Sequence, residues 1–197
     1  MKALVVYSHP LESSFNAALR DRVILGLTAG GHETQVLNLY GMGFDPVLSA
    51  QERQDYHTPG ENEANVAEHL ALLRWCEALV FVYPTWWYGP PAILKGWLDR
   101  VWIPHATFEM PVPMKPIGRV LTNIRFIAAV TTLGSPWWWW KFAMGEPGRR
   151  ILLRGLSVLC HPRCKTQWLA LHQMDSVSET KRMRFLDKIE GAFKRMK

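Results

Sequence analysis

The sequence predicts one α/β domain over residues 1–197, with a doubly wound, five-stranded parallel sheet in the order 2-1-3-4-5. Three observations predict this class. Continuous apolar runs have the length of strands buried on both faces, helical patterns alternate with these runs, and no internal repeat or domain linker interrupts them. A chain of 197 residues also fits one domain, for which about 100–200 residues is usual.

The first half of the chain alternates strands and helices with short connections. Residues 2–7 are an apolar run that predicts strand 1, and Ser13 or Ser14 can cap the next helix. Apolar residues recur every four positions in that helix until Gly30-Gly31 ends it. The next predicted elements are strand 2 (34–39), a long loop (41–60), a helix (61–75), strand 3 (78–83) and a helix (91–101).

The second half has less regular spacing. Residues 103–118 hold four prolines and no period, which predicts a second long loop. Strand 4 (124–130) is followed by Trp137 to Trp140, and Pro147 opens a helix over 146–159. Strand 5 (166–171) then precedes the last helix, for which Ser176 and Glu179 form a capping box. The apolar stripe of that helix is Met183, Leu186, Ile189 and Phe193.

Composition excludes several classes of function. The net charge is +6 without a long basic tract, so we expect no nucleic-acid partner. The sequence shows no signal segment and no apolar run of about 20 residues, and its three cysteines are an odd number, so we expect a cytoplasmic protein with reduced thiols. Cys160 and Cys164 flank His161 but do not complete a four-ligand zinc site, so no metal is expected.

The ten tryptophans suggest flat surfaces for an aromatic ligand or a partner subunit. Trp137 to Trp140 cannot all face one way in a helix or a strand, so some must be exposed in a monomer. A dimer interface or a pocket wall is the favoured interpretation. A contact with a membrane surface is the alternative, because tryptophan suits interfaces.

The predicted sheet places its switch point between strands 1 and 3, and ligands bind outside the carboxyl ends there. The loop from His9 to Asn16 follows strand 1. Helix-start N–H groups, the serine hydroxyls and the Asn16 amide can cradle a phosphate, although a serine that only caps the helix is the plain alternative. Neither G-x-G-x-x-G nor a Walker pattern is present, which disfavours a dinucleotide Rossmann site and triphosphate hydrolysis.

The loop from Pro84 to Gly89 follows strand 3 and carries Trp86, Trp87 and Tyr88. Flat aromatics beside backbone N–H donors suit an isoalloxazine ring, on which negative charge develops during reduction; a hydrophobic corner is the alternative. Strand 4 closes with residues 131–134, where Gly134 lets the backbone approach a ring closely. An ordinary turn would also explain that glycine.

These stretches resemble the flavodoxin-like NAD(P)H:quinone oxidoreductase family, through the 9–16 loop, the run 84–101 and Thr131-Thr132-x-Gly134. The resemblance implies a flavodoxin-like, three-layer fold, a homodimer with its active site at the interface, and hydride transfer from NAD(P)H through a flavin to a quinone or similar flat aromatic acceptor. It implies that the flavin contacts His9, Ser14, Phe15, Asn16, Pro84, Thr85, Trp86, Trp87, Tyr88, Thr131, Thr132, Leu133, Gly134 and Trp139.

The departures from the family concern the acceptor. Leu133 replaces a glycine and narrows the space beside the ring, and Phe108 and Met110 stand where quinone reductases have tyrosines, so we expect these two residues to contact substrate. No side chain is a clear general acid. FAD is preferred to FMN because the Ser-Phe-Asn loop resembles FAD-using relatives and loop 41–60 could cover an adenosine. The alternative function is a flavin-bearing regulatory subunit of a membrane transporter.

Overall fold

The structure is a computed structural model that describes residues 1–196. Its main sheet has five parallel strands in the order β2-β1-β3-β6-β7, which is the predicted 2-1-3-4-5 when the sheet's own strands are counted along the chain. These strands are β1 (Lys2–Tyr7), β2 (Glu33–Asn38), β3 (Ala78–Pro84), β6 (Phe126–Thr132) and β7 (Lys165–Leu171).

Helical segments connect the strands. The α-helices are α1 (Phe15–Ala29), α2 (Ala50–Asp55), α3 (Ala67–Trp75), α4 (Ala92–Val101), α5 (Pro147–Arg149) and α6 (Glu179–Lys194). A 3₁₀ turn spans Glu61–Glu63, and π-helical turns span Trp139–Ala143 and Arg150–Gly155. A small antiparallel hairpin pairs β4 (Phe108–Glu109) with β5 (Gly118–Arg119).

Two apolar cores cover the two faces of the sheet, which gives three layers. Leu4 and Phe81 face the core shared with α3 and α4, whereas Val5 and Val80 face the core shared with α1 and α6. Successive strand residues point to opposite faces, so a strand covered on both sides must be apolar throughout. The backbones of α1 and α6 approach closely at Gly26, where an added Cβ would lie 2.5 Å from the Glu190 carbonyl oxygen.

Two predicted loops contain structure. Loop 41–60 includes α2, which begins at a capping box of Ser49 and Glu52 and buries none of its residues. Pro46 packs against α4, because an added Cβ at Gly96 would meet its carbonyl oxygen at 2.2 Å. Arg100 of α4 donates to the Glu52 carboxylate at 2.6 Å and to the Asp45 carbonyl. Loop 103–118 includes the hairpin of β4 and β5.

Four predicted boundaries or segments are wrong in whole or in part. The predicted helix 61–75 begins only at Ala67, because residues 61–66 form a 3₁₀ turn and a further turn. Strand β6 begins at Phe126, because Ile124 belongs to a turn in which its N–H donates to the Leu121 carbonyl. The capping box at Ser176 is absent: Ser178 caps α6 by accepting from Lys181 N, so the helix starts two residues later than that box requires. The predicted helix 146–159 changes from α5 into π-helical turns at Arg150.

Candidate functional site

The loops after β1, β3 and β6 meet at the carboxyl edge of the sheet. Backbone hydrogen bonds continue past the strand ends, from Ser8 N to Val82 O at 3.0 Å and from Thr85 N to Thr132 O at 2.8 Å. The structure therefore brings together the two loops that the sequence predicted at the switch point and the stretch that follows the neighbouring strand β6.

A polar network joins these loops. The Asn16 amide nitrogen donates to Thr132 Oγ1 at 3.1 Å, and the hydroxyls of Thr85 and Thr131 lie 2.8 Å apart. Asn16, Thr131 and Thr132 are buried, where hydrogen bonds between side chains are stronger than in water and favour one arrangement. The paired threonines thus connect the start of α1 with the aromatic loop after β3.

The start of α1 has the features of an anion cradle. Ser14 caps the helix by accepting from Ala17 N at 3.1 Å, while helix geometry leaves the N–H groups of Phe15 and Asn16 without intrahelical partners. Ser8 Oγ and Asn16 Oδ1 are buried without a hydrogen-bond partner in residues 1–196. Such orphaned polar atoms are costly unless a ligand satisfies them. The free N–H groups and the Ser8 hydroxyl are donors, so the cradle fits a phosphate, which the positive end of the helix also favours. Asn16 Oδ1 is an acceptor, so only a donor group of a ligand could satisfy it.

His9 lies on the solvent side of this cradle. Its Nδ1 accepts from Leu11 N at 3.0 Å, which orients the ring. The ring centroid lies 6.2 Å from that of Trp86, so His9 connects the cradle to the aromatic loop.

The aromatic loop is a tight turn. Trp86 and Gly89 exchange backbone hydrogen bonds of 3.1 Å, and Trp87 and Tyr88 have φ of 48° and 64°. Positive φ at both central residues is the mark of a type I′ turn. In non-glycine residues this conformation costs about 1–3 kcal/mol each and concentrates at functional sites. The side chain of Trp87 is displayed to solvent, with 96% of its surface exposed.

Two residues that follow β6 in the chain, Trp139 and Gly148, support the turn by hydrogen bonds to Tyr88. Gly148 N donates to the Tyr88 carbonyl at 3.3 Å, and Trp139 Nε1 donates to the Tyr88 hydroxyl at 3.2 Å. Trp139 therefore lies beside Tyr88 of the predicted flavin loop, and its contact with a flavin stays a prediction.

A cleft of about 210 Å³ opens between this turn and the loop after β6. It is lined by Thr85, Trp87, Tyr88, Leu133, Gly134 and Ser135. Leu133 is held by a hydrogen bond from its N–H to the Leu171 carbonyl at 2.9 Å. This backbone bond holds Leu133, the residue at which the sequence departs from the family it resembles, at the wall of the cleft.

Phe108 and Met110 do not line this cleft. Phe108 packs against the core on the α3–α4 face, and Met110 is exposed. Their assignment to substrate stays a prediction.

Ser8, Tyr83 and Ser135 also lie at this site, although the sequence did not mark them as site residues. The fully buried Tyr83 hydroxyl lies beneath the turn, where an added Cβ at Gly148 would be 3.4 Å from it. Burial raises the pKa of Tyr83, so this phenol stays neutral. Ser8 and Ser135 directly follow residues already singled out, and their position at strand ends was the available signal.

The four tryptophans divide as the sequence predicts, with some exposed. Trp140 is buried and stacks on Trp168 with ring centroids 5.2 Å apart. Trp137, Trp138 and Trp139 are exposed.

Two general features of residues 1–196 bear on function. No cluster of three or more histidine, cysteine or acidic side chains in this range could hold a metal ion. No helix in the same range has the length and apolarity to span a bilayer.

Comparison with known proteins identifies the family of the chain. The family model described as flavodoxin-like fold matches residues 1–161. The chain is 36% identical over 117 residues to a ribosyldihydronicotinamide dehydrogenase-like protein of Penicillium crustosum, covering 52% of this chain and 44% of that protein. It is 29% identical over 150 residues to NAD(P)H dehydrogenase (quinone) 1 of Cavia porcellus, covering 68% and 54%. The chain thus spans about half the length of the curated relatives it matches.

The solved structures extend the likeness to the whole chain. Smu.1420 from Streptococcus mutans UA159 aligns with a TM-score of 0.86 and 28% identity, covering 100% of both chains. Together with the family match, this confirms the resemblance drawn from the sequence motifs. The chain belongs to the flavodoxin-like family that includes the NAD(P)H:quinone oxidoreductases.

Proposed function

We propose that this protein is a flavin-dependent NAD(P)H oxidoreductase that delivers two electrons to quinones or similar flat aromatic acceptors. The observation that carries the proposal is the join between a phosphate cradle and an aromatic cleft, made by the bonds Asn16–Thr132 and Thr85–Thr131. A cofactor with a phosphate at one end and a flat ring at the other fits this arrangement. The names of the curated relatives, which are dehydrogenases, favour this function over the transporter-subunit alternative.

Different residues of the chain would bind different parts of the cofactor. The free N–H groups at the start of α1, including that of Asn16, and the Ser8 hydroxyl would hold the phosphates. The Asn16 amide nitrogen would position Thr132. The turn uses the N–H groups of Trp86 and Gly89 for its own bonds, which leaves those of Trp87 and Tyr88 for the ring edge. When bound, the flavin supplies the redox chemistry, and the protein supplies binding, orientation and exclusion of water.

We propose FAD as the cofactor. The support is the 41–49 segment, which lies fixed on α4 through Gly96 and Arg100 and stands as a rim that an adenosine could contact. FMN would need only the cradle and the cleft. Mass spectrometry of the flavin extracted from the purified protein decides between the two masses.

We propose that the working form is a homodimer with its site at the interface. The cleft of about 210 Å³ is smaller than the roughly 300–1,000 Å³ of sites that enclose a ligand, and Trp87 is almost fully exposed. A second copy would cover the open side, and its Phe108 and Met110 would then reach substrate. We also propose a cytoplasmic location, since Cys76, Cys160 and Cys164 are free thiols.

The test of the function is a visible spectrum of the purified protein after incubation with FAD and with FMN. We expect flavin absorption bands that bleach under NADPH or NADH and return when a quinone such as menadione is added. A protein that stays colourless with both flavins would refute the proposal, as would a bound flavin that neither nicotinamide reduces.

A further inference from the structure

A second cleft, called here the basic cleft, lies beside the proposed flavin site. Its volume is about 430 Å³, within the range of sites that enclose small molecules. It is lined by Trp137, Ala170, Leu171, His172, Gln173, Lys181, Arg184, Phe185 and Lys188. The cleft therefore runs between the carboxyl end of β7, the segment Trp137 to Trp140 (called here the tryptophan segment) and one face of α6.

The basic cleft and the proposed flavin cleft share a wall. Ser135 lines the flavin cleft, and its carbonyl accepts from Gln173 N at 3.3 Å, in the basic cleft. Trp137, two residues further on, lines the basic cleft. The two clefts therefore lie on either side of the contact between Ser135 and Gln173.

The charge of the basic cleft is uncompensated. Lys181, Arg184 and Lys188 lie on one helical face at spacings of three and four residues, and none makes an ion pair with a carboxylate of residues 1–196. Like charges at this spacing destabilise a helix, so the cluster favours an anion that neutralises it. Burial lowers the pKa of His172, and Lys181 lowers it further, so this histidine is neutral at pH 7.

The indole of Trp137 in the basic cleft restricts the class of anion that the cleft can bind. The ring of Trp137 is half exposed, and the Lys141 ammonium lies 4.8 Å from its centroid. An indole face stacks on a flat heterocycle, while Arg184 offers the planar fork that binds phosphate in a bidentate manner. A heterocycle that carries a phosphomonoester meets both features, whereas inorganic phosphate alone meets only the second.

We propose that the basic cleft binds the adenosine 2′-phosphate end of NADPH, with Trp137 against the adenine and Arg184 and Lys188 on the phosphate. The proposal rests on the proposed function, and it makes NADPH the preferred reductant over NADH. It assigns a role to the tryptophan segment and to α6 that the flavin site leaves unexplained.

The test is calorimetric titration of the purified protein with adenosine 2′,5′-bisphosphate, 5′-AMP and inorganic phosphate. The cleft variant is R184Q/K188Q. The control variant is K194Q/R195Q, which removes the same charge from the same end of the chain, at exposed positions outside the cleft. Equal melting temperatures of the three proteins show that each is folded.

We expect the bisphosphate to bind the wild type more tightly than 5′-AMP or inorganic phosphate does. The cleft variant should weaken bisphosphate binding by about tenfold or more, the size expected when charge-assisted hydrogen bonds are lost, and the control variant by less than about threefold. Equal weakening in both variants would reduce the effect to net charge and overturn the proposal. So would absence of bisphosphate binding, or binding no tighter than that of inorganic phosphate.

Steady-state kinetics separate this proposal from the proposed function. The cleft variant should raise KM for NADPH by about tenfold and leave KM for NADH within about twofold. If no flavin turnover exists but the calorimetric pattern holds, the nucleotide site stands and the oxidoreductase function fails. If turnover exists and KM for NADPH is unchanged in the cleft variant, the function stands and the nucleotide site fails.

Discussion

Asn16 gives the sharpest test of the flavin cradle. Its side chain is only 5% exposed, its amide nitrogen donates to Thr132 Oγ1, and its Oδ1 has no partner among residues 1–196. In Asn16→Ala the protein loses one buried hydrogen bond but also one orphaned acceptor, and these effects oppose each other. We therefore expect the free energy of unfolding of the flavin-free protein to change by no more than about 1 kcal/mol.

The flavin-bound protein should respond differently. If Asn16 meets the cofactor and fixes Thr132, its loss removes about 1–3 kcal/mol of binding free energy. The loss raises the dissociation constant of the flavin by about 5- to 150-fold, since 1.4 kcal/mol is a factor of ten. The assay is quenching of flavin fluorescence on titration with the flavin-free protein, combined with urea unfolding.

Asn123→Ala is the matched control. Its amide nitrogen donates to the Leu73 and Cys76 carbonyls at 2.8 and 2.6 Å, just before β3 and so at the opposite edge of the sheet. We expect it to lower stability by about 1–3 kcal/mol and to leave flavin affinity unchanged. An Asn16 variant that loses stability yet binds flavin like the wild type would refute the assignment of Asn16 to the cradle.

Three further predictions concern other parts of the molecule. Arg100→Gln should lower the free energy of unfolding by about 1.5–3 kcal/mol at pH 7; burial opposes ionisation of Glu52, but its bonds from Arg100 and Ser49 prevail and lower its pKa. That stabilisation is present above the ordinary Glu52 value of 4.5 and is lost as the pH falls, so the wild type and the variant should converge in acid urea titrations. Trp87→Ala should change the free energy of unfolding of the monomer by less than about 0.5 kcal/mol. It should also weaken the proposed dimer, as measured by sedimentation equilibrium. An unchanged dimer affinity would show that Trp87 is not part of the interface. Trp140→Ala empties a buried site against Trp168 and should cost about 3–5 kcal/mol in urea unfolding, whereas a loss below 1 kcal/mol would contradict that packing.

The order of the sheet was predictable because its three central strands are buried on both faces and are therefore continuous apolar runs, as in Leu79 to Val82. The edge strands β2 and β7 are partly exposed and mix polar with apolar residues. Helix α2 was not predictable from apolar spacing, since it buries none of its residues. The predicted helix 146–159 forms as a helical stretch over residues 147–157, but its pitch changes along the way. Its sequence favours a helix, but Gly145 and Glu146 adopt positive φ before Pro147, and the turns widen after Arg149.

The loops that form the candidate site were predictable from the sequence, but the contacts between their side chains were not. Topology places the loops of Asn16, Thr85 and Thr132 at one edge of the sheet. The bond from Asn16 to Thr132 joins residues 116 positions apart, and no local pattern specifies such a pair. Leu133 likewise marks a departure from the family in the sequence, while its anchoring by Leu171 appears only in the structure.

The stack of Trp140 on Trp168 has a spectroscopic consequence. The two indoles lie 5.2 Å apart and within 12° of parallel, so their electronic transitions couple as an exciton pair. Trp140 belongs to the tryptophan segment and Trp168 to the edge strand β7. The circular dichroism signal of this pair would therefore report, without any added label, whether the tryptophan segment is packed against the sheet.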